Sequence, residues 1–254
     1  MAGPILNARG LVMDFGGVRA VNDCAIEVEK ASITGLIGPN GAGKTTVFNL
    51  IAGFHKPTAG QVSFRDRRIE GLPPHLIFGA GIVRTFQVPR ELKRMSVLEN
   101  LMLVPSAQAG ESIWRVMLTP WTIKRQEREI ADRARQVLDF TGLSEVADLD
   151  AGSLSGGQKK LLELARTLMA DPELVLLDEP GAGVNPTLLR RLEGGIRRAR
   201  DELGITFLLI EHDMGLIGRL CDHVIVMEQG SVLTQGPPDS VQRDQRVIDT
   251  YLGS

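Results

Sequence analysis

Cysteine is scarce in this chain of 254 residues: Cys24 and Cys221 are the two present, in no disulfide pattern. That excludes a disulfide framework and fits a reducing compartment. Long apolar runs are missing too. None approaches the ~20 residues of a membrane-spanning helix, so no span is expected. The first residues, MAGPILNARG, lack a charged stretch followed by an apolar core, and no secretory signal is expected. Excess charge is absent. A net charge of −2 gives no reason to expect nucleic acid as a partner. Glu211, His212, Asp213, Cys221, Asp222 and His223 lie near one another in sequence, but their spacing matches no zinc pattern such as C-x-x-C. A chain of this length buries a large core and forms one domain with a subdomain.

What is present begins with glycine. Residues 33–37, ITGLI, suit a short buried strand. Gly38, Pro39, Asn40, Gly41, Ala42 and Gly43 follow, then Lys44, Thr45 and Thr46 open a helix through Val47, Leu50 and Ile51. Glycines let a backbone approach an anion closely, and the unpaired amides of the helix start attract negative charge. Lys44 is suited to the β and γ phosphates of a nucleotide, and the Thr45 hydroxyl to Mg²⁺.

A second part of the same chemistry lies at residues 174–180, LVLLDEP. A continuous apolar strand there ends in Asp178 and Glu179, at the carboxyl edge where open α/β sheets place their ligands. Two adjacent carboxylates have two tasks: Asp178 to hold the Mg²⁺ shell and Glu179 to polarise the attacking water. A third motif, Leu154, Ser155, Gly156, Gly157 and Gln158, leads into the helical pattern QKKLLELARTLMA. This is a second helix start suited to an anion. One phosphate cradle is already complete at residues 38–46, so the spare one suits a second nucleotide.

GPNGAGKTT, LSGGQ and LVLLDEP in this order resemble the ATP-binding subunits of ABC transporters, along nearly the whole chain. The fold implied is α/β: a P-loop NTPase core of ABC type with an antiparallel β subdomain and an inserted helical subdomain. Residues 1–87 and 153–254 correspond to the core with its β subdomain, and residues 88–152 to the helical insert. The resemblance assigns Gln87, at the end of GIVRTFQ, to Mg²⁺ or the attacking water, and His212, in ITFLLIEHD, to the γ-phosphate. Phe15 falls where the family stacks an aromatic on adenine, more commonly a tyrosine. It also implies that LSGGQ caps the ATP of an opposite subunit, so that two subunits sandwich two ATP molecules. Asn185, in GAGVNP, departs from the family's usual aspartate.

Shorter expectations follow from local pattern. Residues 11–15, 25–29 and 61–64 read as antiparallel strands, and residues 123–140 as a charged amphipathic helix. Residues 224–236 read as a hairpin, with a short helix after it. Arginines 190, 191, 197, 198 and 200 read as a solvated helix face. Trp114 and Trp121, with Ile113, Val116, Met117 and Leu118, read as packing inside the helical subdomain; contact with a membrane subunit or lipid is the alternative. Nothing in the sequence accounts for Gly194 and Gly195 inside a helical stretch.

Within the family, FGGVRAVND, GIVRTFQ, GAGVNP, IEHDMGLI and the ending VIDTYLGS resemble the ATPases of branched-chain amino acid importers. That resemblance implies two integral-membrane permeases, a second similar ATPase or a second copy of this chain, and a periplasmic or extracellular binding protein. It places the chain peripherally on the cytoplasmic face of the membrane. The same ATPase serving urea, amides or lipopolysaccharide is the alternative. Soluble ABC ATPases of ribosomes or DNA repair fit less well: there is no second GxxxxGKS/T and no sustained heptad. Lys44, Glu179 and His212 together argue against a catalytically inactive subunit.

Overall fold

The computed structural model describes residues 3–85, 91–105 and 120–252. The chain divides into two compact units, residues 1–87, 172–182 and 196–254 in the first and residues 88–171 and 183–195 in the second.

The first unit holds two sheets. Strands β1 (Leu6–Phe15), β2 (Val18–Val28), β4 (Ala59–Phe64) and β5 (Arg67–Arg68) pair antiparallel in the order β2-β1-β4-β5. The expected strands are the ends of longer ones. Between Ala8 and Leu11 the β1–β2 register shifts, and Gly10 there has φ +60°. An irregularity of this kind breaks the two-residue alternation that marks a strand in sequence.

The larger sheet has the order β10-β9-β3-β8-β7-β6. Its strands β3 (Ile33–Ile37), β6 (Ile82–Arg84), β7 (Leu174–Asp178), β8 (Thr206–Ile210) and β9 (His223–Glu228) run parallel. Strand β10 (Ser231–Gly236) closes the expected hairpin antiparallel to β9. Every residue of β3, β7 and β8 is buried, which is why these strands read as continuous apolar runs. Leu36, Phe48, Leu176, Leu208 and Ile225 meet Ile26 and Val62 of the smaller sheet in one core. Strands β3, β8 and β7 are neighbours, so their carboxyl ends bring three loops to one edge.

Helices α1 (Lys44–Ile51), α2 (Pro74–Gly79), α7 (Met214–Leu220), α8 (Pro238–Gln242) and α9 (Gln245–Leu252) complete this unit. The second unit contains α3 (Val97–Met102), α4 (Pro120–Thr141), α5 (Gly156–Met169) and the first part of α6 (Pro186–Leu203). Ser96 and Glu99 form a capping box that starts α3. Helix α4 packs on α5, and α3 packs on both.

Gly195 has a packing reason. A Cβ on it would lie 3.1 Å from Leu164 Cδ2, so the glycine lets α5 and α6 approach. Gly194 has nothing within 4 Å of such an atom, and the structure does not explain it.

Two expectations need correction. Trp121 does not pack: it is 84% exposed, because it sits in the first turn of α4 while the buried residues Ala134 and Leu138 lie toward the other end. Trp114, with Ile113, Val116, Met117 and Leu118, is outside the described residues. The arginine-rich face of α6 is not all solvated either. Arg200 is held by Asp201 and by both oxygens of Asp222, the latter at 2.7 and 2.9 Å. Among the described residues no helix is long and apolar enough to cross a membrane.

Candidate functional site

The turn from β3 into α1 is shaped by close backbone approaches. Gly38 has φ +146°, and a side chain there would collide with the Met227 carbonyl. Gly43 has φ +96° and faces the Ala20 carbonyl, 2.5 Å from where its Cβ would be. Neither position admits another residue without moving the backbone. Lys44 is buried, and its Nζ donates to the Gly38 and Pro39 carbonyls at 2.7 and 2.8 Å. Burial lowers the lysine's pKa, while the negative charges of Glu179 and Asp178 oppose that shift.

Beside this loop lies a cavity of about 340 Å³. It is lined by Asn40 through Thr46 and by Phe15, Ala20, Glu179, Ile210 and His212. Phe15 stands edge-on to His55, ring centroids 5.3 Å apart, and is 42% exposed. The three loops at the sheet edge therefore bring Lys44, Glu179 and His212 to one space, as their sequence motifs predict.

Glu179 is held in a left-handed conformation, φ +48°, unusual for a residue of its kind. Its amide donates to the Ile210 carbonyl at 3.0 Å. Its Oε1 lies 3.1 Å from His212 Nε2. Asp178, one residue earlier, is buried at the end of β7. Its Oδ2 accepts from Arg84 Nη2 at 3.1 Å. Arg84 also bonds Asn49 and lies over the rings of Phe48 and Phe54, at 5.7 and 5.6 Å.

The LSGGQ residues belong to the second unit and are not among those lining the cavity. Ser155 is the N-cap of α5 in a capping box: its amide donates to Gln158 Oε1 at 3.0 Å, and its Oγ accepts from the Gln158 amide at 3.4 Å. Leu154 and Gly157 are buried, while Ser155 and Gly156 are exposed. Asn185 caps α6, its Oδ1 accepting from the Leu188 amide at 3.0 Å. Gln87 is outside the described residues.

Sequence reasoning missed three participants. Arg84 sat unnoticed in GIVRTFQ; the parallel pairing of β6 with β7 is what carries it to Asp178. Tyr251, near the end of α9, is half-buried close to the phosphate loop: burial raises its pKa, and the Gly38 backbone opposes that rise. Glu211 had a visible signal, a carboxylate directly before His212, but no spacing gave it a purpose. Cys24 and Cys221 are buried, and burial pushes both thiols up to about 12, which makes them poor nucleophiles.

A strand–glycine loop–helix cradle, with carboxylates at the end of a parallel strand two places away in the same sheet, defines a P-loop nucleotide-binding protein. The ABC transporter family matches residues 21–182, and the chain belongs to that family. It is similar to the high-affinity branched-chain amino acid transport ATP-binding protein LivG of Salmonella typhimurium, 42% identical over 100% of this chain and 99% of that protein. Its similarity to the corresponding BraF protein of Pseudomonas aeruginosa is the same, 42% over 100% and 99%. The solved ADP conformation of an ATP-binding cassette of an ABC transporter superposes with a TM-score of 0.86 and 37% identity, covering 100% of each chain.

Proposed function

We propose that this chain binds and hydrolyses ATP to drive import of branched-chain amino acids through partner permeases. One observation carries the chemistry: Lys44, Glu179 and His212, from three separate loops, face one cavity beside the phosphate loop. The cargo rests on the two relatives named above, whose names state branched-chain amino acid transport.

Phosphoryl transfer is mostly positioning and charge stabilisation. The amides opening α1 and the Lys44 ammonium receive the β and γ phosphates. Phe15 stacks on adenine. Thr45 and Asp178 offer the hard oxygen donors that suit Mg²⁺, and an ion held by them would neutralise phosphate charge. Glu179 takes a proton from water as the water oxygen bonds the γ-phosphorus and the bond to the β-bridging oxygen breaks, leaving ADP and phosphate. His212 contacts the γ-phosphate; Gln87, outside the described residues, is assigned to Mg²⁺ or the attacking water by the family resemblance alone.

The exposed Ser155 and Gly156 at the start of α5 cap the ATP of a second subunit, either a similar ATPase or another copy of this chain. The pair works at the cytoplasmic face of the membrane with two permeases, and a binding protein delivers cargo from the other side. Closure around ATP is transmitted to the permeases, and hydrolysis resets them.

The test is the Glu179→Gln variant. It should bind ATP normally, lose hydrolysis by about 100-fold or more, and accumulate as an ATP-bound dimer. Captured from solubilised membranes with ATP, it should bring two multi-span permeases and a second similar ATPase. Parental turnover would remove Glu179 as the base; lipid-export components or ribosomal proteins alone would overturn the cargo.

A further inference from the structure

Strand β8 ends at Ile210, and the next residue is a carboxylate to which the reaction above gives no task. Glu211 is 4% exposed. Its Oε1 accepts from the Gly181 amide at 2.7 Å, and its Oε2 accepts from the His212 amide at 3.1 Å. Gly181 lies two residues beyond Glu179, in the loop that follows β7. His212 lies in the loop that follows β8. One buried carboxylate thus binds the backbones of both loops.

The side chains of those loops meet on the other side. Glu179 Oε1 and His212 Nε2 are 3.1 Å apart. The Glu179 amide is bonded to the Ile210 carbonyl, directly before Glu211. The contacts close a ring through Glu179, Gly181, Glu211 and His212. Each amide meets its own oxygen of the Glu211 fork, so a side chain with a single acceptor oxygen would have to draw both loops to one atom. Burying a carboxylate is costly unless it is well hydrogen-bonded, and here its hydrogen bonds go to the two catalytic loops.

We propose that Glu211 is a positioning residue for ATP hydrolysis. It locks the loop of Glu179 to the loop of His212, so that the base and the γ-phosphate contact engage together. Glu211 touches neither nucleotide nor water in this role and acts through its neighbours. The proposal rests on the reading of Glu179 as the base.

The experiment uses the purified full chain with Glu211→Gln, alone and combined with Glu179→Gln. Glutamine keeps one acceptor but presents a donor to the second amide. ATP affinity is measured with a fluorescent analogue, and hydrolysis by phosphate release. The expected result is a kcat lowered about tenfold with KM and Kd within about twofold of the parent. In the Glu179→Gln background, the same change should lower the residual rate no further, because its effect runs through Glu179. A kcat within about twofold of the parent overturns the proposal. So does an equal fractional loss in both backgrounds, which is what a general packing role would give. If Glu211→Gln does not fold, Glu211→Asp, which keeps the charge and shortens the reach, carries the same comparison. Parental turnover by Glu179→Gln alone would defeat the base reading, and the kcat of Glu211→Gln would then decide whether the carboxylate positions His212.

Discussion

The backbone of Gly157, in the first turn of α5, lies so close to Leu188 of α6 that a Cβ built on it would be 2.8 Å from the leucine's Cβ and nearer still to its Cδ1. Its neighbour Gly156 is exposed, with nothing within 4 Å of the corresponding point. The two glycines of one motif are therefore glycine for different reasons. Gly157→Ala should cost about 1–3 kcal/mol of stability through overpacking, read by chemical denaturation. Gly156→Asp should leave the fold and ATP binding intact and abolish cooperative hydrolysis, because it sets a carboxylate where the second subunit's γ-phosphate is expected. Unchanged turnover would end the idea that this helix start serves a partner's nucleotide.

A similar contrast applies to the glycine pair of α6. Gly194→Ala should raise stability by roughly 0.5–1 kcal/mol, the usual difference between these residues inside a helix. Gly195→Ala should bring no such gain, because the new methyl meets Leu164 Cδ2 at 3.1 Å. Equal thermal shifts for the two variants would contradict the assigned packing.

Phe15 offers a clean separation of base from phosphate. Phe15→Ala should weaken ATP by about 1–3 kcal/mol, the worth of one aromatic stack, and leave tripolyphosphate affinity unchanged. Titrating both ligands against both proteins checks this; equal weakening would take Phe15 out of the adenine site.

Glu211 gives the protein a pH-dependent contribution of definite sign. Burial raises its pKa above the ordinary 4.5, nearby Glu179 adds to that, and the amides of Gly181, His212 and Asp213 work against it. An acid whose pKa is raised by folding contributes stability that is fully present below its unfolded value and is lost as pH rises through its folded value. The thermal midpoint of Glu211→Gln relative to the parent should therefore climb as pH rises from the ordinary carboxyl range through the raised folded-state value, then level off. A difference that stays constant as pH rises above the ordinary carboxyl range would show that the carboxyl does not titrate upward in the fold.

Much of this was legible in the sequence, for physical reasons. Strands β3, β7 and β8 are buried at every position, so their apolar runs stand out, and the loops that follow them carry fixed chemistry at short spacing. Strand β1 was half hidden, because its register shift at Arg9 and Gly10 interrupts the alternation. Arg84 and Glu211 were hidden for another reason. Arg84 meets Asp178 across 94 positions of chain, and Glu211 meets Gly181 across 30. Sheet order alone makes those pairs, and no local pattern encodes it. The exposed Trp121 was misread because a tryptophan among aliphatic residues resembles core until the helix beneath it is seen.

Lys44 already spends two of its donors on the carbonyls of Gly38 and Pro39, within the loop that is to receive phosphate. The conformational freedom of that loop is therefore surrendered during folding, leaving little to surrender at capture. Nucleotide arrival at this loop becomes a docking event, expected to run in a single kinetic phase whose rate scales with concentration. The slow, saturable steps of the cycle then fall to the movements that follow capture.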